Sequence, residues 1–184
     1  MRQNYTEAGE ALLEIMQQRR SIRKYTGEPI PEEKLEKVLQ AGLLAESGRN
    51  IRPWEFIAVQ DKESLCALAK SRTHGASMLE GAACAIIVVG DETKTDVWTE
   101  DCSIAMAHMH LMASALGLGS CWIQGRLREA EDGISTESVV QKLLGIPANY
   151  RLEAMLSLGV PADQPAAHAL PDPKDDKVHY EKFA

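Results

Sequence analysis

Apolar and polar positions divide the chain into helices and strands joined by short connections. Residues 7–20 set Ala8, Leu12, Ile15, Met16 and Arg19 along one side of a helix. A second helix is expected from Pro31, with Glu32 and Glu33 at its positive end. It would bury Leu35, Val38, Leu39 and Leu43 and end before Ser47-Gly48. WEFIAVQ (54–60) alternates as a strand, and DKESLCALAK (61–70) follows as a short helix. AACAIIVVG (82–90) is one apolar run rich in β-branched residues, the pattern of a strand covered on both faces. The longest helix is expected over roughly 96–116, capped by Thr95 or Asp96 and stopped by Gly117. Its apolar residues wrap most of the way round, which predicts a subunit interface as well as a core. GSCWIQG (119–125) reads as a short strand entering a turn, 136–144 as a helix and LEAMLSLGV (152–160) as the last strand. After Pro161 the prolines at 165, 171 and 173 leave an extended tail. Strands interleaved with helices imply an α+β or α/β three-layer domain.

Composition narrows this picture. With 184 residues, 45% of them apolar, and no linker-like stretch in the first 160, the chain reads as one domain over 1–184 with a tail from about 161. A formal net charge of −7 argues against nucleic acid or an anionic membrane as the main partner. The run 82–89 is too short to span a bilayer, and the polar N-terminal stretch is not expected to be a signal peptide. Cysteines 66, 84, 102 and 121 show neither a CxxC pair nor zinc spacing, and three of them read as core residues of a reduced, cytoplasmic protein. Cys102, His108 and His110 do not make a metal site, because residues 108 and 110 point about 200° apart on a helix. No metal is expected. GxSxG, P-loop and HExxH motifs are absent.

Against the acidic balance stands RRSIRKY, 19–25, which holds Arg19, Arg20, Arg23, Lys24 and the hydroxyl of Ser21. Basic residues in a last helical turn offset the dipole, which accounts for Arg19 and Arg20 but not for the continuation through Arg23. Guanidinium forks beside a neutral hydroxyl suit a phosphate, so anion binding and dipole capping stand about even here. AESGRNIRPWEF, 45–56, is a polar loop running into a strand: an ordinary connection, or one that offers amide and Arg groups to a planar ring. GLGSCWIQGR, 117–126, ends in a turn with backbone N–H groups, where Gly125 would admit a flat ligand closely.

RRSIRKY, SGRNIRPWEF, a long helix closing in LGLGSCWIQG, and LGIP…LGVP…PKDDKVHYEKF occur in this order. Together they resemble the nitroreductase family of FMN-dependent NAD(P)H oxidoreductases over nearly the whole chain. The resemblance implies an α+β three-layer sandwich with a central, mainly antiparallel sheet and a long central helix at a homodimer interface that holds FMN. By position, Arg19, Arg20 and Ser21 would hold the FMN phosphate, and Arg23 the ribityl chain and the N1/O2 side. Ser47 and Asn50 match the loop that reaches the ring from the other subunit. Gln124 and Gly125 match the turn whose backbone N–H faces N5 and O4. Lys174, with Lys177 as its competitor, would add a second phosphate cation from the tail.

Departures are Glu46 and Arg52, where the family has Pro and Gln. Arg52 is left between the flavin, a substrate carboxylate and solvent. His74 falls where some members place an Asn, and reads first as a surface histidine. The implied reaction passes hydride from NADH or NADPH through flavin N5 to a small oxidised acceptor (nitroaromatic, quinone or flavin) in ping-pong order. RLREAEDGI is too short for a large lid, which suggests an open site. The alternatives are an FMN-storing or redox-sensing protein without efficient turnover, and a structural domain whose arginines only cap helices.

Overall fold

The computed structural model describes residues 5–171 and 177–183. Four strands, β1 (Trp54–Val59), β2 (Cys84–Asp91), β3 (Gly119–Gln124) and β4 (Tyr150–Gly159), form a sheet of order β1-β2-β4-β3. Every pairing between them is antiparallel. β2 is buried along its whole length, as the uninterrupted apolar run predicts for a strand covered on both faces. Its residues alternate between two cores. Cys84, Ile86 and Val88 pack on one side with Val38, Met106, Met109 and Leu156. Ala85, Ile87 and Val89 pack on the other with Leu65, Leu68, Val140 and Met155. Helices α2 (Glu32–Leu43) and α4 (Trp98–Ala115) cover the first face, and α3 (Lys62–Ala69) and α5 (Thr136–Leu144) the second. This is the expected three-layer α+β sandwich.

Element ends depart from the sequence pattern where tertiary contacts intervene. Helix α1 spans Tyr5–Gln18 and has no basic residue in its last turn. Arg19 and Arg20 follow directly at its end, where Arg19 N–H still donates to Ile15 O at 2.9 Å, so both remain placed to offset the dipole while Arg23 lies beyond it. Helix α4 starts at Trp98, with Val97 at its N-cap and no side-chain cap. The Thr95 hydroxyl instead accepts the Val97 N–H at 3.3 Å, completing the turn before the helix. Gly117 stops α4 as expected: at φ 72° it turns the chain so that Leu118 N–H reaches the Ala113 carbonyl at 2.9 Å. Leu43, expected in the core, is 54% exposed.

On α4, Met106, Met109 and Ala113 are wholly buried within this chain. Ile104, Ala107, Leu111 and Ala115 form an outward apolar stripe at helical spacing, all of them half-buried or exposed. Leu12, Leu13 and Met16 of α1 are also exposed. No helix among the described residues is long and apolar enough to cross a membrane.

After β4 the chain turns back along the basic segment. Thr26 N–H donates to Val160 O at 3.0 Å, Ala162 N–H to Lys24 O at 3.0 Å, and His168 N–H to Gln17 O at 2.9 Å. The C-terminal stretch is thus laid against residues 17–26.

Candidate functional site

The cationic corner forms because the chain must leave α1 before Ser21. Ser21 bridges Ser120 on β3, and Ile22 N–H donates to the Ser120 carbonyl at 2.9 Å. That short parallel contact holds residues 19–23 at the open edge of the sheet. A Cβ on Gly119 would lie 2.7 Å from Ile22 Cγ2, so only glycine permits this approach. Arg20 donates through Nη1 to the Ala166 carbonyl and lines a cleft of about 410 Å³ with Gln18, Ser120 and Gln164. Arg23 Nη1 donates to Ser21 O at 3.3 Å. Arg19, Ser21 and Arg23 all act on Cys121: burial raises its thiol pKa, while Arg23, the Ser21 hydroxyl and Arg19 oppose that rise.

Behind this corner lies His110 of α4. Its Nε2 is 2.9 Å from Arg19 Nη1 and its Nδ1 2.5 Å from Ser120 Oγ. Burial, reinforced by the Arg19 cation, pushes its pKa down to about 4, so the ring is neutral near pH 7.

Further along β3, Gly125 N–H donates to the Glu153 carbonyl at 3.1 Å and Arg126 N–H to the same oxygen at 2.9 Å. Gly125 therefore belongs to a hydrogen-bonded pair of the ladder. By alternation the backbone groups of Ser120, Trp122 and Gln124 turn away from β4, toward the edge. Ile22 on the Ser120 carbonyl and Arg72 Nη1 on the Gln124 carbonyl, at 3.1 Å, agree with this. The donor that the turn can offer a ligand is thus the Gln124 N–H. The Gly125 N–H is already used.

Gly125 is also glycine for another reason than a close ligand. A Cβ there would lie 2.5 Å from Leu152 Cδ2, inside the core.

Glu153 is the extra residue of a β-bulge: Val88 pairs with Ala154 and Val89 with Leu152. The bulge turns a carboxylate into the interior, where Glu153 is 4% exposed and Oε2 has no partner. Burial raises its pKa, opposed by Gln124, Arg126 and Ser103. Gln124 Nε2 donates to the Glu153 carbonyl at 3.2 Å, and Gln124 Oε1 accepts from Trp122 Nε1 at 2.9 Å. The Gln124 side chain is fixed on both ends.

The loop after α2 is strained. Arg49, Asn50 and Arg52 have φ of 53°, 56° and 52°, a region that residues other than glycine seldom adopt. Ser47 Oγ accepts the Arg52 N–H at 2.9 Å, and Arg52 Nε donates to Asn50 Oδ1 at 2.9 Å. Gly48 N–H anchors the loop to Asp101 Oδ1 on α4 at 2.8 Å. Asp101 lies nine residues before His110 on α4, about 14 Å along the helix axis. The structure therefore binds Ser47, Asn50 and Arg52 to one another, at a distance from the cationic corner.

His74 is exposed on its loop. Lys174 lies outside the described residues, and Lys177 is exposed. The sequence reading missed His110, Ser120 and Glu153 as parts of this site. Their partners are Arg19, Ser21 and Gln124, and none of these pairings leaves a local motif.

Comparison with known proteins completes the assignment. A model of the nitroreductase family matches residues 16–74 and 67–160. An Archaeoglobus fulgidus protein that carries the provisional name NADH dehydrogenase/NAD(P)H nitroreductase is 37% identical over 179 residues, 95% of this chain and 99% of that protein. The structure of an FMN-dependent nitroreductase from Clostridium difficile R20291 is 42% identical, covers 92% of this chain and 98% of its own, and superposes with a TM-score of 0.88. The NADPH:FMN oxidoreductase of Vibrio harveyi, solved in complex with NAD+, is 27% identical with a TM-score of 0.78, covering 94% and 78%. With sequence matches over almost the full length and the same fold in solved relatives, the chain belongs to the nitroreductase family.

Proposed function

We propose that this chain works as a homodimeric, FMN-dependent oxidoreductase that moves hydride from NADH or NADPH to a small oxidised acceptor in ping-pong order. Family membership makes it an FMN-dependent enzyme with NAD(P)H as reductant. When bound, FMN supplies the chemistry, accepting hydride at N5 and passing it on. One observation carries the reading of the site. The cationic corner at Ser120 and the outward N–H of Gln124 lie on the same open edge of β3, four residues or about 13 Å apart. A ligand with a phosphate at one end and a flat hydrogen-bonding ring at the other fits that edge.

Arg19, Arg20 and Ser21 would hold the phosphate, Arg20 also tying the C-terminal stretch to it. Arg23 would supply a cation toward the ribityl chain and the N1/O2 side. Gln124 would offer its backbone N–H to the flavin ring, while Trp122 and Glu153 fix its side chain and the Gly125 ladder bond fixes the strand beside it. The loop with Ser47 and Asn50 serves the site of a second copy. Its distance from Arg19 within one chain supports this, as does the outward stripe Ile104, Ala107, Leu111 and Ala115. Arg52 braces the loop through Asn50 and leaves its own guanidinium at the surface. Lys174 remains the expected second phosphate cation. Free thiols at Cys66, Cys84, Cys102 and Cys121 suit a reducing cytoplasm. The chain acts as one domain, its C-terminal stretch contributing to the site.

Initial rates at several fixed acceptor concentrations test the scheme. Parallel double-reciprocal lines against NAD(P)H are expected, since one open site serves both substrates in turn. Intersecting lines would mean a ternary complex. Negligible turnover with quinones, nitroaromatics and flavins alike would favour FMN storage or sensing.

A further inference from the structure

His110 takes part in a contact that none of the roles above uses. A guanidinium only donates hydrogen bonds and keeps its charge at any ordinary pH. The imidazole Nε2 facing Arg19 Nη1 at 2.9 Å is therefore an acceptor. The ring's hydrogen must then sit on Nδ1, where Ser120 Oγ accepts it at 2.5 Å. The same Ser120 accepts Ile22 N–H through its carbonyl at 2.9 Å. Arg19 thus dictates the tautomer, and one β3 residue both accepts the resulting Nδ1–H and fixes the position of the segment that carries Ser21.

An Arg side chain free in solution must give up rotamer freedom whenever it grips an anion. Arg19 is held in advance by the N–H it commits to His110. The ring is neutral near pH 7 because burial and the Arg19 cation both disfavour its protonated form. A protonated ring would have no lone pair to offer.

We propose that His110 is a positioning residue: anchored through its Nδ1–H on Ser120, it fixes the Arg19 guanidinium toward the phosphate of FMN. This rests on the reading of Arg19 as a phosphate ligand, and the test separates the two.

Dissociation constants for FMN and for riboflavin, which lacks the phosphate, are measured for the wild-type protein, Arg19→Ala, His110→Asn and His110→Gln after removal of bound flavin. An Asn amide overlays Nδ1 and keeps the donor to Ser120, but does not reach Arg19. A Gln carbonyl reaches the Nε2 position and can accept from it. His110→Asn should weaken FMN by about tenfold and leave riboflavin nearly unchanged, while His110→Gln recovers most of the loss.

Equal losses for both ligands, or a Gln variant no better than Asn, would reduce His110 to core packing and overturn the proposal. If Arg19→Ala shows no preference between FMN and riboflavin, Arg19 does not bind phosphate, and the proposal falls with that reading. Should His110→Asn fail to fold, Ser120→Ala decides. It removes the acceptor that anchors the ring through Nδ1–H and predicts a smaller loss with the same FMN selectivity. An unchanged FMN-to-riboflavin ratio in that variant would overturn the proposal.

Discussion

Gly125 N–H and the Glu153 carbonyl lie 3.1 Å apart, and this bond decides which donor of the turn faces a ligand. It commits Gly125 to the β4 ladder and leaves Gln124 N–H on the open edge. Gly125 itself is fixed by the core behind it, through Leu152. Gly125→Ala should therefore cost stability, about 1–3 kcal/mol from overpacking against that side chain. Urea midpoints check this, and the double variant with Leu152→Ala should recover part of the loss because the two changes meet at one contact.

Arg20, which we propose as a phosphate ligand, donates to the Ala166 carbonyl and so touches the C-terminal stretch. Arg20→Ala should weaken FMN by roughly 1.5–3 kcal/mol, the usual range for a hydrogen bond to a charged group, and riboflavin much less. Fluorescence titration with each ligand measures the difference. An equal loss for both would take Arg20 out of the phosphate site.

The outward stripe of α4 carries a prediction about assembly. Leu111→Asp should yield monomers that release FMN, as read by sedimentation and by the absorbance of bound flavin. Met109 is unsuitable for this test, since it is wholly buried in the chain's own core and meets α2 at Gly42. Met109→Asp should unfold the protein instead. A Leu111→Asp monomer that retains FMN would contradict a shared site.

His110 also sets a pH dependence. Its folded-state pKa, near 4, lies below the unfolded value of 6.5, so between these the unfolded chain binds more protons. Stability should fall as pH drops from about 6.5 toward 4, by about 3 kcal/mol from this residue, and level off below. Glu153, whose pKa is raised by burial, acts in the opposite sense above its unfolded pKa. Denaturation curves of wild type and His110→Gln across this range isolate the histidine, and the variant should show the shallower decline.

Local patterns made much of the fold legible. The run 82–90 announced a doubly covered strand, Asp61 accepts the Ser64 N–H at the start of α3, and Gly117 ends α4. The misplaced features depend on distant partners. Helix α1 stops at Gln18 because Ser21 must reach Ser120, a pairing across 99 positions that no window of sequence displays. The Arg and Ser residues of RRSIRKY show by their types alone a cluster that suits either an anion or the end of a helix, and only the family resemblance points them at a phosphate. His110 is legible only as a structural histidine, because its contact with Arg19 spans 91 positions. Gly125 has a second reason to be glycine that no local pattern displays: its missing Cβ would meet Leu152, which β4 brings opposite.

The most direct measurement is the visible absorption spectrum of the purified protein, recorded without oxygen before and after NADH or NADPH is added. A yellow protein that bleaches rapidly and regains colour with a quinone or nitroaromatic is the predicted result. A flavin that stays oxidised in excess reductant, or a protein that remains colourless after FMN is supplied, would contradict it.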